Sequence, residues 1–182
     1  MNLHIRHERP QDISTITALT VAAFASQEHS SHTEQFIVNA LRRSQQLTIS
    51  LVAVLDEDMV GHVAASPVTI SSGAQGWFGI GPISVWPDRQ GQGIGPISVW
   101  PDRQGQGIGS ALMQAALAEL QQLGAMGCVV LGDPGYYSRF GFAVHAGLEL
   151  PGVPPQYFQA LSFGTALPQG TVQYHAAFEA TA

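Results

Sequence analysis

Three glycines within five residues, Gly105, Gly107 and Gly109, stand between an extended apolar lead and the most regular helix pattern in the chain. The lead is Ile97-Ser98-Val99-Trp100-Pro101. From Ser110 onward, Leu112, Met113, Ala116, Leu117, Leu120 and Leu123 fall on one stripe, and Gly124 stands where a C-terminal cap belongs. Glycine lets the backbone turn sharply and lets amides approach a ligand without a Cβ in the way. The helix start adds unpaired N–H groups and a partial positive charge, so the unit can hold a pyrophosphate. An ordinary tight strand-to-helix turn would use the same glycines, and the loop by itself leaves both readings open.

The rest of the chain supplies layers for this unit. Leu3-His4-Ile5-Arg6 alternates as a short strand, and Ile13, Ile16, Leu19, Thr20 and Phe24 repeat at helical spacing. Ser31-His32-Thr33-Glu34 has the form of a capping box ahead of Phe36, Ile37, Ala40 and Leu41. Two β-rich stretches, 47–55 and 59–70, flank the polar turn Asp56-Glu57-Asp58 as a hairpin. Ser71-Ser72-Gly73 turns the chain again. Cys128-Val129-Val130-Leu131 reads as a buried strand, and strand-like pieces follow around a Pro-rich turn at 151–155 and near 172–178. The order β-α-α-β-β-β-α-β predicts an α/β fold with a mixed sheet.

Residues 81–94 read GPISVWPDRQGQGI, and residues 95–108 repeat the same letters. One perfect copy is not a solenoid, which needs several units of at least ~20 residues. Only the second copy runs directly into the helix, because the first is followed by Gly95-Pro96, and proline disfavours helix at the residue before it. The second copy is therefore expected to carry the function. The first is expected to loop out or to take over part of the preceding strand.

With 182 residues the chain is read as one domain, 1–182. Seven Lys+Arg and a net charge of −6 exclude a broad nucleic-acid footprint, and Arg42-Arg43 reads as the solvated end of a helix. A lone cysteine, Cys128, excludes an intramolecular disulfide and reads as a small buried hydrophobe. No apolar run reaches the ~18 residues of a membrane span, so no membrane partner is expected and the location is read as cytoplasmic. His, Cys, Asp and Glu show no metal-ligand spacing, and no metal is expected.

A P-loop is excluded by the lack of Gly-Lys-Ser/Thr. A dinucleotide fold is disfavoured, since the loop reads G-x-G-x-G with Ser110 in the place of the last glycine. Gln104-x-x-Gly107-x-Gly109, behind Val99-Trp100-Pro101, is similar to the Q/R-x-x-G-x-G/A acetyl-CoA signature of the GNAT acyltransferases. Gly132-Asp133-Pro134-Gly135-Tyr136-Tyr137-Ser138-Arg139-Phe140-Gly141-Phe142 resembles that family's Tyr-x-x-x-Gly-Phe segment, in the wording of a subgroup of predicted bacterial acetyltransferases. Arg9-Pro10-x-Asp12 and Val60-Gly61-His62 are similar as well. The resemblance runs over residues 3 to about 145.

The resemblance implies a GNAT-like mixed, mostly antiparallel central sheet flanked by helices, with a splayed parallel strand pair holding the cofactor. It implies transfer of an acetyl group from acetyl-CoA to a primary amine by direct attack. Ile97 and Val99 would hold the pantetheine arm through their backbones. Amides of Gln104, Gly105, Gln106, Gly107, Ile108 and Gly109, with Ser110 capping, would receive the pyrophosphate. Tyr137 lands on the family's general acid. A phenol of ordinary pKa ~10 is protonated at neutral pH and can donate to a CoA thiolate of pKa roughly 8.5. The other reading of Tyr137 is a core aromatic beside Phe140 and Phe142, and Tyr136 is read as packing. Glu34, His62 and Asp133 are candidates for the base, with no motif to choose among them. His62 reads equally as a hydrogen-bonded strand histidine, and Asp133 as a turn former. The acceptor is a small-molecule amine or a peptide or protein amine, and a homodimer fits the family's habit. A non-catalytic acyl-CoA-binding module and a dinucleotide-dependent oxidoreductase are the alternatives.

Overall fold

The computed structural model describes residues 2–25, 30–87 and 107–182. Strands β1 (Leu3–His7), β2 (Ile49–Leu55), β3 (Asp58–Ile70) and β4 (Trp77–Val85) form an antiparallel run. β5 (Gly127–Leu131) joins β4 in parallel, and β7 (Phe158–Ser162) closes that edge antiparallel to β5. β8 (Gly170–Tyr174) pairs with the far end of β3 and with the short β6 (Leu148–Glu149). The sheet is thus mixed and mostly antiparallel, as the resemblance implies.

Helix α3 (Ile108–Gln122) covers one face, burying Ile108, Leu112, Met113, Ala116 and Leu120 against Val63, Ile83, Cys128 and Val130. Its approach is close enough to require Gly61. A Cβ there would meet Leu112 Cδ1 at 2.9 Å and Ile108 Cγ2 at 3.0 Å. Gly124, at φ 77°, ends the helix in the left-handed conformation expected of it. Leu123, expected on the apolar stripe, is 58% exposed, because it lies past the last helical residue. Helices α1 (Ile13–Phe24) and α2 (Glu34–Arg43) cover the opposite face, with Ile16 and Val38 on Val52 and Val54. Ser84 Oγ donates to Thr20 Oγ1 across 3.3 Å and ties β4 to α1.

Two helix-end expectations need correction. The capping box at 31–34 is not formed: Thr33 is the N-cap of α2 without a side-chain bond, and Glu34 is reached instead by Ser30 Oγ at 2.7 Å. Arg42 is not solvated. Its guanidinium forks onto Glu8, with Nε and Nη2 each 2.7 Å from a carboxylate oxygen, and Nη1 donates to Asn39 Oδ1 at 2.7 Å. The same helix end therefore anchors to the end of β1.

The tandem copies divide between two elements. Gly81–Val85 of the first copy form the end of β4, one of its two expected placements, and Gly107 and Ile108 of the second copy open α3. Ile97, Val99, Gln104, Gly105 and Gln106 lie outside the described residues. Between Pro87 and Gly107 the pentapeptide Asp-Arg-Gln-Gly-Gln occurs twice, at 88–92 and 102–106. Removing residues 88–101 or 81–94 gives one and the same shortened sequence, and the former cut touches no described residue.

Candidate active site

β4 and β5 pair over Trp77–Gly127, Phe78–Cys128 and Gly79–Val129, and then part. Just beyond Gly79, β4 carries a bulge: Ala65 faces Ile80 and Val63 faces Ile83, so Gly81 and Pro82 together oppose Ala64. A bulge bends its strand and strengthens the local twist, which turns β4 away from β5. The outcome is a V-shaped opening between two strands in the middle of the sheet.

α3 starts beside this opening. Gly107 is its N-cap at φ 57°, a conformation that a side chain disfavours, and Ala111 N–H makes the first helical bond to Gly107 O at 2.8 Å. Gly107, Ile108, Gly109 and Ser110 are therefore the N-cap and first three helical positions, whose N–H groups have no acceptor within the helix. These four are the described part of the expected pyrophosphate cradle. Ser110 is not the cap but a first-turn residue, and its side chain hydrogen-bonds the Tyr136 hydroxyl.

Tyr136 and Tyr137 lie in the single-turn helix α4 (Pro134–Tyr137), which Asp133 caps by accepting the Gly135 N–H at 3.0 Å. Asp133 is thus a turn former here. Tyr136 also carries the Arg139 guanidinium 4.7 Å above its ring, so it does more than pack. Tyr137 is 2% exposed, edge-on to Tyr136 at 5.1 Å and to Phe142 at 6.0 Å. Burial, with Tyr136 and Tyr174 nearby, pushes its phenol well above the ordinary range, so it holds its proton at neutral pH. Cys128 is buried and its thiol is pushed up by desolvation, which fits the packing role.

Of the base candidates, His62 is fully buried and bonded through Nε2 to Ser50 Oγ at 2.8 Å. Ser50 Oγ donates to Glu8, so it accepts from His62 Nε2–H, and Nδ1 is left as the bare nitrogen with no partner among the described residues. Burial lowers the His62 pKa to about 4, Glu8 opposing and Arg42 adding to the shift. Glu34 Oε2 is likewise buried without a partner. The polar cluster Arg42–Glu8–Ser50–His62 escaped the sequence reading. Its one visible signal is a histidine inside an apolar strand. The cluster borders a cavity of about 230 Å³ between the end of β1 and the end of α2.

Burial alone would raise the Glu8 carboxyl, but hydrogen bonds from Arg42 and Ser50 outweigh it and hold it below the usual range. Replacing Glu8 by Ala takes the carboxylate from Arg42 and Ser50 in a largely buried place, leaving Arg42 with Asn39 and Ser50 with His62. The expected cost is about 2 kcal/mol, read as a fall in Tm of about 4–8 °C by calorimetry. Because the folded pKa is lowered, Glu8's contribution is complete above its ordinary value and is lost as pH falls through the folded one.

Known proteins place this geometry. The family model of the acetyltransferase (GNAT) domain matches residues 96–144, from the second copy through α3, β5 and α4. The Escherichia coli (strain K12) protein named uncharacterized N-acetyltransferase YhbS is 34% identical over 147 residues, 80% of this chain and 77% of that one. The chain belongs to the GNAT family. Two solved GNAT structures share its fold over nearly the whole length. A GNAT family acetyltransferase from Brucella melitensis, in complex with acetyl-CoA, is 46% identical with a TM-score of 0.80, covering 97% of this chain and 98% of its own. YhbS from Escherichia coli in complex with CoA is 32% identical with a TM-score of 0.78, covering 100% and 94%. Among the described residues of this GNAT chain no helix is long and apolar enough to cross a membrane, and no group of His, Cys, Asp and Glu could hold a metal.

Proposed function

We propose that the protein transfers an acetyl group from acetyl-CoA to a primary amine. The observation that carries this is the parting of β4 from β5 directly beside the left-handed Gly107 start of α3, with the Tyr136–Tyr137 pair underneath. Relatives with 46% and 32% identity hold acetyl-CoA and CoA, respectively. In this reading the opening takes the pantetheine arm, and the amides of Gly107 to Ser110, continued by Gln104, Gly105 and Gln106, take the pyrophosphate. The amine nitrogen attacks the thioester carbonyl, the C–S bond breaks, and Tyr137 gives its proton to the departing sulfur. The amine's own proton passes to a base or to water. Holding both reactants in register supplies most of the acceleration. A cytoplasmic location and a small-molecule or peptide acceptor belong to the same proposal.

Calorimetric titration with acetyl-CoA, on the full chain and on the chain lacking residues 88–101, tests it. The expected Kd is on the order of micromolar for both. Binding by the shortened chain alone would mean that the repeat disables a GNAT site that is otherwise intact. Binding by neither would overturn the proposal.

A further inference from the structure

The point where β4 leaves β5 is covered from the second face of the sheet by an aromatic ring contributed by the C-terminal strand. Tyr174 ends β8, opposite Val68 of β3. A Cβ built on Gly79 would come within 3.0 Å of both Cδ1 and Cζ of Tyr174, so the ring rests on the Gly79 backbone. Gly79 is the last residue of β4 paired with β5. Its partner on β3 is Ser66, fully buried, whose Oγ has no hydrogen-bond partner among the described residues. Directly opposed residues project to the same side with Cβ atoms about 5 Å apart, so the Ser66 hydroxyl lies on the side that carries the Tyr174 ring. Phe178 extends the surface, its ring 4.7 Å from that of Tyr174 and tilted by 57°.

Tyr137 comes to the same place from the other face. It packs in the core beneath α3 with Cys128 and Val130, whereas Tyr174 packs with Val129 and Ala160, the residues of β5 and β7 that point the opposite way. The two phenols are close enough for Tyr174 to contribute to the upward shift of Tyr137.

We propose that Tyr174, with Phe178 and Ser66, forms the acceptor-side wall of the transfer site and selects the carbon body of the incoming amine. The proposal rests on the acetyl-transfer reading. Ser66, Val68, Tyr174 and Phe178 bring no ionised group of their own. The wall therefore discriminates by apolar contact and two hydroxyls, those of Ser66 and Tyr174, and favours an amine carried on an apolar or aromatic body over one surrounded by charge.

A thiol placed at residue 174 tests the location without knowledge of the acceptor. Tyr174→Cys is treated with bromoacetyl-CoA and followed by intact mass. The thiolate sulfur displaces bromide from the methylene carbon, one S–C bond forms, the thiol proton goes to buffer, and the CoA group stays attached. Wild type, whose one cysteine is the buried Cys128, and Tyr157→Cys, on a 45% exposed position of the tail, are the controls. Tyr174→Cys is expected to label at least about 10²-fold faster than Tyr157→Cys, and excess acetyl-CoA is expected to suppress the difference. Equal rates, or no protection, in a variant that binds acetyl-CoA calorimetrically would overturn the assignment of Tyr174 while leaving the acetyl-transfer reading standing. Failure of wild type to bind acetyl-CoA would remove both. Should Tyr174→Cys not fold, Phe178→Cys presents the thiol one ring further along the same wall, with the same outcomes.

Discussion

Replacing Tyr137 by Phe is expected to lower kcat for acetyl transfer by about 10²-fold and to leave the Kd for acetyl-CoA within about twofold. The substitution removes one oxygen from a ring that is 2% exposed and held edge-on by Tyr136 and Phe142, so the packing survives. In the proposed reaction, what is lost is the proton for the CoA thiolate. The raised phenol pKa makes Tyr137 a weaker acid than a free tyrosine, yet it guarantees the protonated form across the neutral range. Tyr136→Phe is the informative companion. It breaks the bond to Ser110 in the first turn of α3, and is expected to raise the KM for acetyl-CoA while sparing kcat. Steady-state kinetics on both variants separates the roles. Unchanged kcat in Tyr137→Phe would reduce Tyr137 to a core aromatic.

The second large effect is on stability. Unfolding free energy is expected to fall by about 3 kcal/mol between pH 6.5 and pH 4, and His62→Gln is expected to flatten most of that slope. The sign follows from proton uptake. His62 has an ordinary pKa of 6.5 and a folded value of about 4, set chiefly by its burial. Above pH 6.5 it is neutral in both states and contributes no pH dependence. Between the two values the unfolded chain binds a proton that the fold refuses, and stability drops as pH falls. Glu8 and Asp12 add their losses at lower pH, because hydrogen bonds to arginines hold both carboxyls below their ordinary values. Urea unfolding from pH 7.5 to pH 4.5, on wild type and His62→Gln, gives the answer. Parallel slopes would show that His62 takes up its proton without unfolding.

The element order through β5 was readable, apart from the start of β4 at Trp77, because the segments announce themselves locally. Helical stripes, the turn at 56–58, the break at 71–73 and the cap at Gly124 need only a few neighbouring residues. The start of α3 was readable for a stronger reason, since a helix that opens on a left-handed residue is written directly in a glycine, here Gly107. What failed depends on partners distant in sequence. Arg42 looked solvated because nothing near it shows that Glu8, 34 residues earlier, arrives at the same place. The capping box failed because Ser30, one residue outside it, reaches Glu34, while Thr33 caps α2 through its backbone carbonyl alone. Tyr174 gave no signal, because its significance comes from the register that sets β8 against β3, with Thr171 bonded to Ser71 Oγ across 100 residues.

The parting of β4 and β5 has a mechanical meaning. Among the described residues, three paired rows, Trp77 to Gly79 with Gly127 to Val129, are the only ladder joining the β1–β4 plate to the pair β5 and β7. Past that seam the two plates share no ladder, and a ligand lying between them takes the position of a strand. The fold is in this sense a sheet whose missing rung a bound ligand would supply. Its unfolding free energy should then report occupancy of the gap, rising with ligand as RT ln(1 + [L]/Kd) and carrying the melting temperature up with it. The amides on either side of the gap, rather than those of the outer strands, should gain the most protection from hydrogen exchange.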